Sequence, residues 1–151
     1  MNPQQLRDYI IRPVVGELPG ESENAVELLM LTAAVESNLG YYVRQVRGPA
    51  LGIYQMEPAT YADIWDIYLF RKPVIVEVVR KWGRTANDMI GCLYFATAMA
   101  RIHYLRKPEP LPDKDDVLGM AQYWKDHYNT HLGRGTTEKA AEAYHYLVMG
   151  E

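Results

Sequence analysis

A single cysteine, Cys92, occurs in the 151 residues, so no internal disulfide can form and the fold does not rely on an oxidising compartment. Cys92 is expected to behave as a small buried hydrophobe. No stretch approaches the ~20 consecutive apolar residues of a membrane span. The N-terminal Met1-Asn2-Pro3-Gln4-Gln5-Leu6-Arg7-Asp8 has no apolar run behind a basic start, so the chain is expected to be made as a soluble protein without an export signal of its own. An excess of positive charge is also lacking. Sixteen Lys and Arg stand against nineteen Asp and Glu, for a net charge of −3, and the cations are scattered. That pattern offers no basic stripe to neutralise phosphates and argues against nucleic acid as a partner. There is no internal repeat, and the one linker-like stretch, 107–112, is too short to separate two domains, so residues 1–151 are expected to form one domain.

What is present fits a globular helical chain. Apolar residues make up 48% and charged residues 23% of the sequence, and a domain of this length buries roughly two-thirds of its unfolded surface, enough for one continuous core. The first strong helical signal follows Gly20, with Asn24 and Glu27 in capping-box spacing and Val26, Leu29, Met30 and Ala33 as its apolar stripe; Gly40 should end it. Thr60 and Asp63 repeat the spacing ahead of Ile64, Trp65 and Tyr68. Thr85 and Asp88 do so ahead of a run from Met89 to Leu105 that is apolar on nearly every face and therefore reads as the buried central helix. Asp113 and Asp116 open a helix with Val117, Met120, Ala121, Trp124 and Tyr128 on its stripe, and Thr136 and Thr137 precede a last one. The β-branched run 73–79 could be strand or helix, and its leading proline and helical neighbours favour helix. Residues 41–55 lack a helical period and predict a loop or short hairpin. The fold class expected is all-α.

One carboxylate is out of place in this pattern. Glu36 shares a helical face with Leu29 and Ala33, so the apolar stripe runs directly into it. It also falls in the last turn, where the helix dipole disfavours negative charge, and burial and dipole together should raise its pKa. A carboxyl group kept protonated near neutrality suits proton donation to a leaving sugar oxygen. A solvated Glu at the rim of the stripe is the plainer alternative.

The residues that follow sharpen this. Glu36-Ser37-Asn38 is succeeded by Gly48-Pro49-Ala50-Leu51-Gly52-Ile53-Tyr54-Gln55-Met56-Glu57-Pro58-Ala59-Thr60. That order resembles the soluble lytic transglycosylases and goose-type lysozymes, in which Glu-Ser at a helix end precedes Gly-x-x-Gln and then Pro and Thr. Tyr128-Asn129 resembles the family's Tyr-Asn segment. The combination of Tyr123-Trp124-Lys125, Tyr128-Asn129-Thr130 and Gly133-Arg134-Gly135-Thr136 looks most like transglycosylase-like proteins of bacteriophages.

The resemblance implies a lysozyme-like fold and cleavage of the β-1,4 bond between N-acetylmuramic acid and N-acetylglucosamine in peptidoglycan. By it Glu36 is the acid and base, Ser37 anchors its turn, and Gln55 hydrogen-bonds substrate or the sugar N-acetyl group. Gly52 would let the backbone come close to a ligand, and Tyr128 would hold the Glu36 carboxyl. Asn129 and Tyr54 would lie at the substrate, Tyr54 with Tyr41, Tyr42, Tyr61 and Tyr68 near the cleft, where aromatics can stack on sugar faces, with core packing the plainer fate for most of these tyrosines. Glu57 departs from the transglycosylase pattern, which usually has Met there, and resembles goose-type lysozymes; as a second acid it could orient a water and give hydrolysis with inversion. Asn129-Thr130-His131 departs from the family's small residues. No cofactor is implied, and His127 and His131, although spaced i, i+4, lack the Glu of a zinc protease. The expected partner is the glycan strand, with other phage virion or tail proteins as further partners. Synthesis in the host cytoplasm and action at the cell wall, from the virion or on lysis, would follow. A phage structural component with this fold and little or no catalysis is the alternative.

Overall fold

The computed structural model describes residues 1–129 and 134–151. Its elements are α1 (Pro3–Leu6), α2 (Arg12–Glu17), α3 (Glu23–Ser37), α4 (Pro58–Asp63), α5 (Pro73–Val79), α6 (Asp88–Gly91), α7 (Leu93–Leu105), α8 (Val117–His127) and α9 (Thr137–Ala143). Wider π-helical turns join α1 to α2 (Arg7–Ile11) and extend α4 (Ile64–Tyr68) and α9 (Tyr144–Val148). Among the described residues there is no β-strand, and the chain is all-α. Residues 41–56 are a loop closed by two isolated antiparallel bridges, Arg44 with Leu51 and Leu51 with Met56.

α3 and α7 run through the middle of one hydrophobic cluster that reaches from Leu6 to Val148. Both are buried almost all round, which is why α7 was legible as a central helix. Their buried polar side chains bond mostly to each other and to nearby groups, although Arg101 Nε is left without a partner among the described residues. The hydroxyls of Thr32 and Tyr104 are 2.8 Å apart, as are those of Thr97 and Tyr54, and Arg101 donates to the Gly20 carbonyl at 3.0 Å. Pairing matters here because an orphaned polar group in a dry core costs ~1–3 kcal/mol.

Several helix starts differ from the spacing-based expectation. Ser22, not Asn24, caps α3, accepting from the Ala25 N–H at 3.1 Å. Asn24 instead accepts from the Lys114 N–H at 2.8 Å, and Glu27 is drawn inward to a bidentate bond with Arg7 (2.8 and 3.0 Å) and to the Tyr144 hydroxyl (2.7 Å). α4 begins at Pro58, whose fixed φ suits the first helical position, so Thr60 lies inside the helix and Asp63 pairs with Arg106 at 2.9 Å. The run from Met89 to Leu105 is not one helix. It breaks at Cys92, which is extended (φ −122°, ψ 107°) and only half-buried, and which caps α7 through Sγ on the Phe95 N–H at 3.5 Å. Gly91 supplies the weak point, and Asp88 is committed to the turn before it, accepting from Arg84 and Thr85 N–H groups at 2.8 and 2.9 Å. The N-terminal helices α1 and α2 had no counterpart in the reading of the sequence; Leu6, Ile11, Val14 and Val15 bury them against the core. The run 73–79 is helix, with Pro73 at its first position.

Candidate functional site

α3 ends one residue after Glu36, and the turn that ends it is unusually constrained. Asn38, Leu39 and Gly40 all take positive φ (56°, 54° and 78°), a conformation that glycine adopts freely and asparagine tolerates but that crowds the Cβ of Leu39 against the backbone. Ser37 pins the turn: its Oγ donates to the Ala33 carbonyl at 3.1 Å and accepts from the Gly40 N–H at 2.9 Å. Ser37 is itself buried and has no place on the cleft wall.

Beside this turn lies a cleft of about 780 Å³, within the ordinary range for a ligand site. Glu36 sits on its wall, partly exposed, while its carboxyl is enclosed by protein. Burial pushes the carboxyl up to about 7, and the Trp124 indole opposes this by donating Nε1–H to Oε2 at 2.9 Å. Nothing else is bonded to that carboxyl among the described residues. An acid in this setting holds its proton near neutrality, and the indole bond, stronger to a charged acceptor than to a neutral one, steadies the carboxylate once the proton leaves.

The expectation that Tyr128 holds Glu36 is therefore corrected. The Tyr128 hydroxyl donates to the backbone carbonyl of Tyr54 at 2.7 Å, and its ring lies edge-on to His103 with centroids 4.9 Å apart. Tyr128 does line the cleft, as an apolar wall whose burial helps keep Glu36 neutral. Trp124 takes the bonding role from the turn of α8 before it, four residues earlier on the same face. Gly135 packs against the indole so closely that a Cβ there would meet Cη2 at 2.3 Å, which holds the ring in place.

The other expected residues divide. Gln55, Glu57 and Asn129 line the same cleft as Glu36. Gln55 has positive φ (49°) and its Nε2 donates to the Gly52 carbonyl at 2.8 Å, so the side chain is fixed before any ligand arrives. Glu57 is exposed, just ahead of α4, and Asn129 Oδ1 accepts from Lys125 at 2.9 Å. Gly52 and Tyr54 are not brought to the cleft. Gly52 (φ 76°) does allow a close backbone approach, but to the Met89 carbonyl, 2.6 Å from where its Cβ would be, rather than to a ligand. Tyr54 is in the core, its hydroxyl on Thr97, because the α7 hydroxyl gives it a buried partner. Of the other tyrosines expected near the cleft, Tyr42 lines it, with Tyr41 packed edge-on at 4.9 Å, and Tyr61 and Tyr68 pack elsewhere.

His103 and Arg134 line the cleft without having been singled out. His103 had a signal, a polar ring in the otherwise apolar run of α7. Trp124 was placed only on the apolar stripe of its helix, although a buried indole N–H needs an acceptor. Among the described residues no group of three or more His, Cys, Asp or Glu is placed to hold a metal, and His131 of the i, i+4 pair lies outside the described residues. No helix among them is long and apolar enough to cross a membrane.

Comparison of the chain with protein-family models, with curated proteins and with solved structures gives no significant match to any of them.

Proposed function

We propose that this protein has a lysozyme-like fold and cleaves peptidoglycan glycan strands at the β-1,4 bond between N-acetylmuramic acid and N-acetylglucosamine, as a phage lytic transglycosylase would. The observation that carries the reading is the Glu36 carboxyl, raised to about 7 on the wall of a cleft and held by a neutral donor. In the reaction Glu36 gives its proton to the glycosidic oxygen as the bond to the anomeric carbon breaks. The sugar's own N-acetyl oxygen bonds that carbon. The C6 hydroxyl then displaces it and closes a 1,6-anhydro ring, losing its proton to the Glu36 carboxylate, so the acid is restored. Trp124 supports the charged form midway.

Glu57 is exposed on the same cleft, just ahead of α4, and would orient the water in the hydrolytic route. Mass spectrometry of digested cell wall separates the outcomes, since anhydro ends report the transglycosylase route and reducing ends report hydrolysis. A zymogram on purified wall tests the reading itself. Wild type should clear and Glu36→Gln should not; equal clearing by both rejects it.

A further inference from the structure

His103 belongs to α7 and lines the cleft that Glu36 lines. Its Nδ1 lies 2.6 Å from Arg106 Nη2, and Arg106 is itself tied through Nη1 to Asp63 of α4 at 2.9 Å. A guanidinium only donates, so Nδ1 must be the accepting nitrogen, and the ring proton is forced onto Nε2. Nε2 has no hydrogen-bond partner among the described residues, and the residue that carries it lines the cleft. The ring is clamped as well as polarised: Tyr128 lies edge-on at 4.9 Å and Tyr104 stacks at 6.4 Å. Burial, with Arg106 and Lys107 nearby, pushes the imidazole down to about 3, so it carries no charge near neutrality.

We infer that His103 is a substrate-positioning residue whose fixed Nε2–H donates a hydrogen bond to the acetamido carbonyl of a sugar adjoining the scissile bond, so that the cleft selects N-acetylated glycans; this rests on the glycan-cleaving reading above. The chemistry of the group narrows its partner. A neutral donor with no accepting capacity suits an uncharged oxygen that only accepts, and an amide carbonyl is the strongest such acceptor on a glycan. A sugar hydroxyl would bring a donor of its own that Nε2–H cannot receive. A carboxylate would be drawn to Arg134, the cation on the same cleft. The acetamido group concerned is that of a neighbouring sugar, because the reacting sugar's carbonyl oxygen must stay free to bond the anomeric carbon. Arg106 and Asp63 act through His103 by fixing its tautomer and carry no contact to substrate of their own.

The test uses the full chain with Glu36→Gln to prevent turnover, and two neutral probes: the tetramer of N-acetylglucosamine, and cellotetraose, which has a hydroxyl in place of each acetamido group. Long-range ¹H–¹⁵N spectra of the histidines should show His103 as the Nε2–H tautomer from pH 5 to 8, and its Nε2 resonance should move on adding the N-acetylated tetramer. The affinity ratio between the two probes should shrink by roughly 3- to 10-fold in His103→Phe, the effect of one hydrogen bond to an uncharged acceptor, and recover largely in His103→Gln, which restores a neutral donor. If the N-acetylated tetramer binds and shifts Gln55 and Asn129 while His103 Nε2 stays still, or if His103→Phe keeps the ratio, the inference is overturned and the catalytic reading stands. If neither probe binds and wild type clears no cell wall, both fall together.

Discussion

Trp124 is the most informative residue to perturb, because one bond from its indole is all that opposes the desolvation of Glu36. The bond is 2.9 Å long, from a donor that is itself buried and immobilised, to an acceptor that alternates between neutral and charged. Hydrogen bonds to charged groups contribute ~1.5–3 kcal/mol, and a pKa unit corresponds to about 1.4 kcal/mol, so losing the bond should raise the carboxyl by about one to two units. Glu36 keeps some contact with the cleft, which places the effect near the lower end, and its titration should move from about 7 to about 8 in Trp124→Phe. The direction follows from the bond favouring the carboxylate: without it the proton is held more tightly. Benzothienylalanine at position 124, with sulfur in place of N–H, removes the donor while keeping the ring's shape, so water entering a vacated space cannot obscure the shift. ¹³C titration of the Glu36 carboxyl gives the pKa directly. The alkaline limb of the pH profile for wall clearing should move upward by the same amount, at a lower maximum rate because the carboxylate formed midway has lost its support. An unchanged or lowered pKa in the benzothienyl variant would show that the indole does not stabilise the charged form and would refute the reasoning.

Further perturbations have definite signs. Glu36 titrates at about 7 in the fold against 4.5 as its ordinary value, so its charged form is disfavoured by folding: below pH 4.5 it makes no difference, and stability falls as pH rises from there through 7. Glu36→Gln should therefore be more stable than wild type by about 3 kcal/mol at pH 8 and equal to it at pH 4, read from urea midpoints at each pH. Gly52→Ala should lose at least ~2 kcal/mol, since the new Cβ meets positive φ and the Met89 carbonyl together, and its urea midpoint should fall without a change in slope. Thr97→Val should lose ~1–3 kcal/mol by orphaning the Tyr54 hydroxyl in the core, and adding Tyr54→Phe should recover part of it; a double variant no better than the single would deny the pairing. Gly135→Ala should displace the Trp124 indole and move the alkaline limb of activity in the same direction as loss of the indole N–H.

The parts of the fold that were legible are those where burial wrote a periodic pattern. α3, α7, α8 and α9 carry apolar stripes or all-round apolar faces, and their caps at Asp116 and Thr136 lay where Asp and Thr precede such stripes. Capping-box spacing misled at Asn24 and Thr60, because the same Asn, Thr and Glu side chains serve equally as tertiary partners, and only the fold shows that Glu27 meets Arg7 and Asn24 meets Lys114. α1 and α2 were missed although Ile11, Val14, Val15 and Leu18 recur at i, i+3, i+4 and i+7, because each helix is short and Pro13 and Gly16 interrupt that stripe. In the site, Glu36 was visible as a carboxylate on an apolar stripe. Its partner was not, since Trp124 reads as one more core aromatic until α8 is laid against α3, and the aromatic expected to hold the carboxyl, Tyr128, finds a nearer acceptor in the Tyr54 carbonyl. Tyr54 itself was misplaced for the same reason, a hydroxyl in the core being tolerable only because Thr97 is there to meet it.

Glu27 and Glu36 show why one buried carboxylate is structural and the other reactive. They lie on the same helix, nine positions apart, which at 100° per residue places them on opposite faces. Glu27 receives two bonds from the Arg7 guanidinium and one from the Tyr144 hydroxyl, so its negative charge is matched by a full positive charge and by three donors. Those bonds join the N- and C-terminal segments of the chain to α3. Among the described residues Glu36 receives one neutral donor and no cation, and its carboxyl is enclosed to a depth that makes full ionisation unfavourable near neutrality. A cation supplied to Glu36 as Arg7 is supplied to Glu27 would stabilise the fold and abolish the acid. The reactive state of Glu36 thus follows from a partner strong enough to orient the carboxyl and too weak to ionise it, and the pinned turn at Ser37 and the Gly135 contact on the indole keep that balance from relaxing.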